Sequence, residues 1–554
     1  MTANRQPILI LGAGINGVAL ARELLLNRVP VVLVDTADLC SGASAYSSRL
    51  IHGGLRYLEY GEFDLVRQSL DERGRLLRLA PQFVKPLQLY IPARRRLGGL
   101  WPTLTRFLLG RSTAAHRERG MWLVRCGLWM YDRFAASDEL PAHDVRRSGT
   151  GTVPRVNKSK YPWVCSYWDA QILNPERFVV AMLQDTQSLA TGDCPFRFLT
   201  YHRPRMDGTT VEIVDVATGQ PTLTVNPAAI VNATGAWVDR TLEQLRIPTD
   251  RLMGGTSGSH FITYHERLRA ALGPAGVYVE AADGRPVFLL PFGEGVLVGT
   301  TDVSFEGDPA DARATDGEIE YLIETVNEVI PDLQLSPHDV VARYCGVRPL
   351  PYSQGTAAGA ITRRHQIHRH DAGPIPLYSL IGGKLTTCRA LGEETAAMVL
   401  NGLELATTTN TRDRPLPGGA NFPVDREEEQ RSWKAIADEL GFSIGQVQVT
   451  WQLLGTRAKE VLSEARDEDK TSIVNTDLPL AVVRWMIDNE WVVALGDLIQ
   501  RRLMLAYDPR LTVAGVRQLA QIMLDAGRLS PADVDDQVDQ AISELREKFA
   551  RRLE

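Results

Sequence analysis

The sequence predicts a mixed architecture: α/β at its N-terminal end, α+β through its middle and helical at its C-terminal end. Three observations predict it. A strand, a glycine turn, a helix and a second strand open the chain. Short β-like apolar runs separated by turns follow to about residue 400, and beyond a Thr/Pro/Gly-rich stretch the apolar period becomes helical. The 554 residues make three to four domains a reasonable prior. With 44% hydrophobic and 23% charged residues the composition is that of an ordinary globular protein, which excludes disordered, collagenous and coiled-coil classes. A formal charge of -6 gives no global basic field for nucleic acid. Six cysteines without a C-x-x-C pair exclude a disulfide scaffold and fit a reducing, cytosolic setting. Met1–Pro7 is polar and the apolar run Ile8–Leu11 ends at glycines, so no secretory leader is expected. No run approaches the ~20 apolar residues of a membrane span, so any membrane contact is expected to be peripheral.

Ile8–Leu11 reads as a short buried strand, followed at once by Gly12-Ala13-Gly14-Ile15-Asn16-Gly17. Ile15–Leu26 reads as a helix, Val31–Val34 as the second strand, and Asp35 ends it. This is the G-x-G-x-x-G fingerprint of a Rossmann-like dinucleotide-binding unit in full context. Gly12 allows the tight turn, Gly14 lets the backbone approach a pyrophosphate, and Gly17 lets the helix pack on the strand. The helix N-terminus offers free N–H groups to phosphate. Asp35 stands where a carboxylate accepts ribose hydroxyls, which favours an unphosphorylated ribose without choosing between FAD and NAD.

Small and hydroxyl-bearing residues follow, Ser41-Gly42-Ala43-Ser44 and then Ser47-Ser48-Arg49-Leu50-Ile51-His52-Gly53-Gly54-Leu55-Arg56-Tyr57-Leu58-Glu59. Small residues permit close approach to a flat ring, and hydroxyls bond its polar edge. The latter segment resembles the signature of the FAD-dependent, quinone-linked glycerol-3-phosphate dehydrogenases, within the glutathione-reductase-like, D-amino-acid-oxidase-related flavoproteins. Further segments resemble the same family in order. They are Ala233-Thr234-Gly235, Gly258-Ser259-His260, Phe288–Pro291, Gly299-Thr300-Thr301-Asp302, Gly346-Val347-Arg348-Pro349-Leu350, Ala360-Ile361-Thr362-Arg363 and Gly382-Gly383-Lys384-Leu385-Thr386-Thr387. Asp35 and Arg49 depart from it, since relatives commonly carry Glu and Lys there, and the stretch from Arg94 to Arg133 is longer than expected.

The resemblance implies FAD as cofactor and oxidation of sn-glycerol 3-phosphate to dihydroxyacetone phosphate. Gly12, Gly14, Gly17, Asp35, Ser47, Ser48, His52, Gly53, Gly235, Gly383, Lys384, Leu385, Thr386 and Thr387 are then the cofactor residues. Arg56, His260, Arg348 and Arg363 are the substrate residues, with His260, Arg348 and Lys384 as the catalytic set. The chemistry suits these types. Arginine forks bind phosphate oxygens in pairs, and histidine is the common base near neutral pH. A lysine with a helix N-terminus faces charge developing on a reduced flavin. Arg348 is expected in a turn ahead of Pro349, and Arg363 at the end of a short strand. His365, His368 and His370 fit no common zinc spacing, so no metal is expected.

No second strand–G-x-G-x-x-G–helix unit is present, which disfavours NAD as electron acceptor. Residues 96–134 are rich in arginine, interleaved with Trp101, Trp122, Trp129 and short apolar runs, and suit an interfacial segment on anionic lipid. Quinone is therefore the expected acceptor. An oxygen-reducing oxidase and a non-catalytic flavin-binding membrane scaffold are the alternatives. Expected partners are glycerol 3-phosphate, a quinone and the inner face of the cytoplasmic membrane, with a homodimer as an option and no nucleic acid. The expected location is cytoplasmic, peripheral to the cell membrane.

The FAD-dependent region is expected over residues 1–405. Its cofactor domain is discontinuous, about 1–95, 135–250 and 345–405, and a β-rich substrate cap covers about 251–344. Residues 406–422 read as a linker and 423–554 as a helical domain. Its helices are expected at Glu427–Leu440, closed by Gly441, and at Ser443–Leu454, capped by Ser443. Leu480–Ile499, Thr512–Ala526 and a last helix opened by Ser530-Pro531-Ala532-Asp533 follow. Val482, Trp485, Met486, Val492 and Val493 are expected on one buried stripe.

Overall fold

The computed structural model describes residues 5–96, 120–135, 140–151, 153–353 and 361–554. The opening unit folds as its pattern demands: strand Ile8–Leu11, helix Ile15–Leu26 and strand Val31–Val34. Both strands are fully buried, consistent with their unbroken apolar runs. They sit at the centre of a six-stranded sheet ordered 366–370, 377–381, 229–232, 8–11, 31–34, 196–199. All its neighbours are parallel except the hairpin Gln366–His370 with Leu377–Ile381. Residues near 8, 230 and 380 thus meet in one sheet. Helix Ile15–Leu26 covers it beside helices Pro175–Ser188 and Cys388–Gly402. The last approaches so closely that a Cβ on Gly392 would lie 2.8 Å from the Ala19 carbonyl carbon.

The second large sheet is wider than the expected cap limits of 251–344. It is built on Met253–Thr263, Gly276–Glu280, Pro286–Phe292, Gly295–Gly299 and Ala342–Pro351. It also takes in Leu50–Ile51, Val84–Ala93, Asp144–Arg147 and Trp163–Ile172. The reason is register. Strand Val84–Ala93 pairs with Trp163–Ile172 along its whole length and carries them beside Gly276–Glu280. Gly258-Ser259-His260 lies inside strand Met253–Thr263. Arg348 is in strand Ala342–Pro351, not in a turn, because ten register pairs tie that strand to 253–262. Arg363 falls in irregular chain ahead of Gln366–His370 rather than ending a strand.

The C-terminal helices begin close to their expected starts, except that residues 531–533 form a turn and the last helix opens only at Val534, without a side-chain cap. Asp425 accepts from Glu428 N ahead of Arg426–Leu440, and Gly441 closes that helix at φ 75°. Ser443 and Gln446 form a reciprocal capping box on Ile444–Leu454. Thr512 caps Val513–Asp525, and the last helix is Val534–Phe549. The expected helix Leu480–Ile499 is two pieces. Leu480–Asn489 stops, Trp491 takes φ 51°, and the chain restarts at Leu495 and widens into a π-turn over Leu498–Arg502. Val482, Met486 and Val492 are buried as expected, but the break turns Val493 outward, 52% exposed. Buried ion pairs at the break explain it: Arg177 holds the Glu490 carboxylate, and Arg502 bonds the Glu490 carbonyl.

Of the Arg-rich segment, residues 97–119 lie outside the described residues. Its end is helix Met121–Phe134, amphipathic by position. Met121, Val124, Leu128 and Tyr131 face the core, while Trp122, Arg125, Cys126, Trp129 and Arg133 are exposed. Among the described residues no helix is long and apolar enough to cross a membrane.

Candidate active site

Between the two large sheets runs one cavity of about 2100 Å³, lined from the glycine turn at Gly12 to Thr386. At one end Gly12 sits at φ 102°, where a Cβ would meet the Ala233 carbonyl oxygen at 2.6 Å. A Cβ on Gly17 would meet the Gly12 carbonyl oxygen at 1.9 Å, so this glycine serves helix–strand packing and does not line the cavity. Gly14 has only ordinary contacts, its nearest being Ser44 Oγ at 3.4 Å. Its smallness leaves room on the cavity side. The Asp35 carboxylate accepts from Ala13 N at 2.7 Å and Ala37 N at 3.0 Å. Burial, reinforced by Asp38, raises its pKa to about 6. Cavity space before a helix N-terminus, lined by Gly12 and Gly14 with the Asp35 carboxylate beside it, fits the adenosine half of a dinucleotide.

The other end gathers the expected substrate residues. Arg56, His260, Arg348, Arg363 and Lys384 all line it. Gly258 and Gly299 explain how two of them fit. A Cβ on Gly258 would lie 2.2 Å from Arg348 Nη2, and one on Gly299 would lie 2.2 Å from His260 Cδ2. These glycines are the floor on which the guanidinium and the imidazole lie. Arg348 is held by Thr300 Oγ1 at 2.8 Å, the Thr301 carbonyl at 3.1 Å and Asp302 Oδ1 at 3.0 Å. Asp302 also stands 3.8 Å from Arg363, which makes it the shared counter-ion of both arginines. Burial lowers the Arg348 pKa, opposed by Asp302.

His260 stacks on Tyr344, with ring centroids 4.9 Å apart, and its Nε2 meets Ser48 Oγ at 2.9 Å. Its Nδ1 is buried without a partner. Burial, then Arg348 and Arg49, hold its pKa down at about 3. His52 is likewise held at about 3, by burial and by Lys384 and Arg73, so both rings are neutral. Lys384 Nζ lies 3.9 Å over the Tyr57 ring and 3.4 Å from Ser69 Oγ. Burial lowers its pKa to about 7.

Ser47, Ser48, His52, Gly235, Gly383, Leu385 and Thr386 line the same cavity. Gly53 and Thr387 do not. Gly53 lies behind the wall, where a Cβ would come within 2.6 Å of Leu70 and of the Tyr131 hydroxyl. Thr387 is buried at the start of helix Cys388–Gly402, after the positive-φ pair Gly382 and Gly383. Arg49, where relatives commonly carry Lys, lines the cavity and pairs with Glu176 at 2.9 Å, wholly buried. His365 bonds Glu394 of helix Cys388–Gly402, and His370 bonds Ser379 across the hairpin.

Sequence reasoning did not single out a buried cluster behind Gly53. The Tyr131 hydroxyl donates to Asp169 at 2.7 Å and accepts from Gly53 N at 2.8 Å. Arg73 completes it with an ion pair to Asp169 at 2.9 Å. These residues stand 38 and 96 positions from Asp169, with no local pattern. Asp302 belongs to the Gly299-Thr300-Thr301-Asp302 segment, where a carboxylate directly after two hydroxyls is the only local signal of its role.

The geometry agrees with what the chain resembles. A model of FAD dependent oxidoreductases matches residues 7–398, and one for the C-terminal domain of alpha-glycerophosphate oxidase matches 409–533. A glycerol-3-phosphate dehydrogenase of Synechocystis is 35% identical over 82% of this chain and 80% of its own. The aerobic glycerol-3-phosphate dehydrogenase of Escherichia coli is 30% identical, and the D-erythritol 1-phosphate dehydrogenase of Brucella abortus 31%, each covering 89% of this chain and 93% of the relative. The solved glycerol-3-phosphate dehydrogenase of Bacillus halodurans, complexed with FAD, shares the fold at TM-score 0.72 and 21% identity over 99% of this chain and 96% of that one. With a dinucleotide cradle at one end of its cavity and this match over residues 7–398, the chain belongs to the FAD-dependent oxidoreductases, and its cofactor is FAD.

Proposed function

We propose that this enzyme oxidises sn-glycerol 3-phosphate to dihydroxyacetone phosphate and passes the electrons to a membrane quinone. The observation that carries the substrate is the cation set at the flavin-ward end of the cavity. Arg56, Arg348 and Arg363 line it, Asp302 being the counter-ion the last two share, and Lys384, its pKa lowered to about 7, stands with them. That surplus suits a dianion and exceeds what one carboxylate needs. The names of the relatives at 30–35% identity point the same way. When bound, FAD supplies a hydride acceptor. The chain's own residues do the rest. Arg348, fixed by hydrogen bonds to Thr300, Thr301 and Asp302 among others, and Arg363, which shares Asp302 with it, hold the phosphate. The Ser48–His260 pair orients the reacting hydroxyl. Lys384 Nζ, with a pKa of about 7, is matched to take that hydroxyl's proton at neutral pH. Histidine is the common base on sequence grounds, but the His260 ring, held at about 3 by burial first and Arg348 second, is too weak a base.

Helix Met121–Phe134 supports the quinone. Outward it offers Trp122 and Trp129, 41% and 57% exposed, with Arg125 and Arg133. Inward, Leu123, Gly127 and Met130 line the same cavity as His52 and Lys384. An aromatic and basic face for lipid headgroups thus covers an apolar wall of the redox chamber.

Anaerobic bleaching of the yellow flavin by glycerol 3-phosphate tests the first half, with glycerol, D-erythritol phosphate and a D-amino acid as comparisons. Bleaching by the three-carbon phosphate at the lowest concentration is expected. Bleaching by the amino acid, or none, overturns the substrate. Reoxidation by a quinone analogue, faster on anionic vesicles, tests the second half; reoxidation by oxygen alone favours an oxidase.

A further inference from the structure

The loop that follows the ribose carboxylate is tied to the C-terminal domain by an ion cluster that the proposed reaction does not use. Asp38 has a wholly buried side chain. Arg502 grips both its oxygens, Nη1 to Oδ2 at 2.6 Å and Nη2 to Oδ1 at 2.8 Å. Arg501 adds Nε to Oδ2 at 2.5 Å and reaches Asp497 Oδ1 at 2.9 Å. The Tyr201 hydroxyl donates to the same Asp497 oxygen at 2.5 Å. Two consecutive arginines point at one carboxylate because the chain widens into a π-turn at Leu498–Arg502, a device that recurs at functional positions.

The loop itself ends on the cofactor cradle. Cys40 N donates to the Ala13 carbonyl at 3.0 Å, and Ala13 N donates to Asp35. On the far side, Tyr201 N donates to the Ala37 carbonyl and His202 N to the Asp35 carbonyl. Asp35, Thr36, Ala37 and His202 line the cavity, whereas Asp38 points away from it into the C-terminal domain. Residues 35–40 are thus a bridge, with the cradle at one face and Arg501 and Arg502 at the other.

We propose that this cluster makes FAD retention and seating of the C-terminal domain one linked equilibrium, with Arg501 and Arg502 as positioning residues for the ribose carboxylate. The proposal rests on the reading of Asp35 as the ribose acceptor. Linkage is reciprocal: seating the domain raises FAD affinity by the factor by which FAD favours seating. Buried charges make the coupling stiff, since Asp38 has no solvent to turn to if Arg502 withdraws.

The test measures flavin release from the holoenzyme by fluorescence recovery on dilution, together with thermal unfolding. Arg502→Lys keeps the charge and loses the two-oxygen grip. Arg177→Lys is the same chemical change at the same domain boundary, on the Glu490 carboxylate, away from the loop. Both variants are expected to melt earlier, and only Arg502→Lys to release flavin faster, by about tenfold or more. Tyr201→Phe, which removes one hydroxyl and no charge, is expected to shift release the same way by roughly 2- to 10-fold, and it serves if Arg502→Lys does not fold. Stripping FAD is expected to raise hydrogen exchange over residues 495–502 more than over 426–462. Release unchanged in both cluster variants, equal acceleration in Arg177→Lys, or exchange at 495–502 indifferent to FAD overturns the clamp. An Asp35→Asn variant that binds FAD as tightly as the parent overturns the underlying ribose reading, and the clamp with it.

Discussion

His260 and Lys384 share one cavity with opposite usefulness as bases. Burial weakens both, but it starts from an ordinary value near 6.5 in one case and 10.5 in the other, so they come to rest at about 3 and about 7. The second-order rate constant for flavin bleaching reports ionisations of the free enzyme. It is therefore expected to rise with pH through about 7 as Lys384 loses its proton. Lys384→Met should flatten that rise and slow bleaching by roughly 100-fold or more, the usual worth of a placed proton acceptor. His260→Gln should slow bleaching and leave the rise in place. The opposite assignment of the two profiles returns the base to His260. What was legible at this scale followed from local spelling. Gly12, Asp35 and Lys384 sit in short motifs whose neighbours are in contact, and all three line the cavity. Arg73, Tyr131 and Asp169 do not, since only the crossing of a helix over the second sheet brings them behind Gly53. The environment of His260 was illegible for the same reason, because its pKa is set first by burial in the folded sheet and then by Arg348, 88 positions away.

Elements were easiest to read where their ends are chemically marked. Asp425, Ser443 and Thr512 each supply a side-chain oxygen to a free amide at a helix start, worth about 1 kcal/mol apiece, and the helices begin there. The helix expected over Leu480–Ile499 fails because nothing local announces its break. Arg177, from the cofactor domain, holds Glu490, and removing one member of such a buried pair costs about 3–5 kcal/mol. That exceeds the propensity gained by continuing the helix, about 0.5 kcal/mol per residue. Helix Met121–Phe134 shows the reverse case, an outer face unconstrained by the core. Replacing Trp122 and Trp129 together by alanine should change stability by less than about 1 kcal/mol, since both indoles are exposed. Binding to anionic vesicles, followed by co-sedimentation, is expected to fall roughly tenfold per indole. Quinone-analogue reduction on vesicles should fall with it, while bleaching by substrate stays unchanged. Unaltered sedimentation would assign the face to something other than lipid.

At the scale of the molecule, buried charge joins regions remote in sequence. Arg389 pairs with Glu72, Arg22 and Arg414 share Asp185, and Arg502 holds Asp38. The sequence shows the layers these pairs join, because each layer has its own apolar period, but not the pairs, whose partners lie 163 to 464 positions apart. One consequence is that Asp35 and Asp38, three residues apart, titrate in opposite directions. Burial pushes Asp38 up, but Arg502 and Arg501 outweigh it and hold it below the ordinary range, so it stays ionised and its clamp persists until strongly acid pH. Asp35 faces the cavity with amide donors but no direct cation, and burial raises it to about 6. Its anion therefore costs the empty fold some stability above that pH, because an unfolded chain ionises it near 4 and folding binds a proton between the two values. Ribose hydroxyls donate to the anion, so cofactor binding recovers what the empty fold gives up. FAD affinity is accordingly expected to be full above about pH 6 and to fall below it, by at most about tenfold per pH unit for one proton. Flavin fluorescence titrations from pH 5 to 8 measure this directly. Asp35→Asn should bind more weakly at pH 7 and lose the dependence. A wild-type affinity constant across that range would mean that the ribose is held by neutral donors and that Asp35 serves only to close the glycine turn.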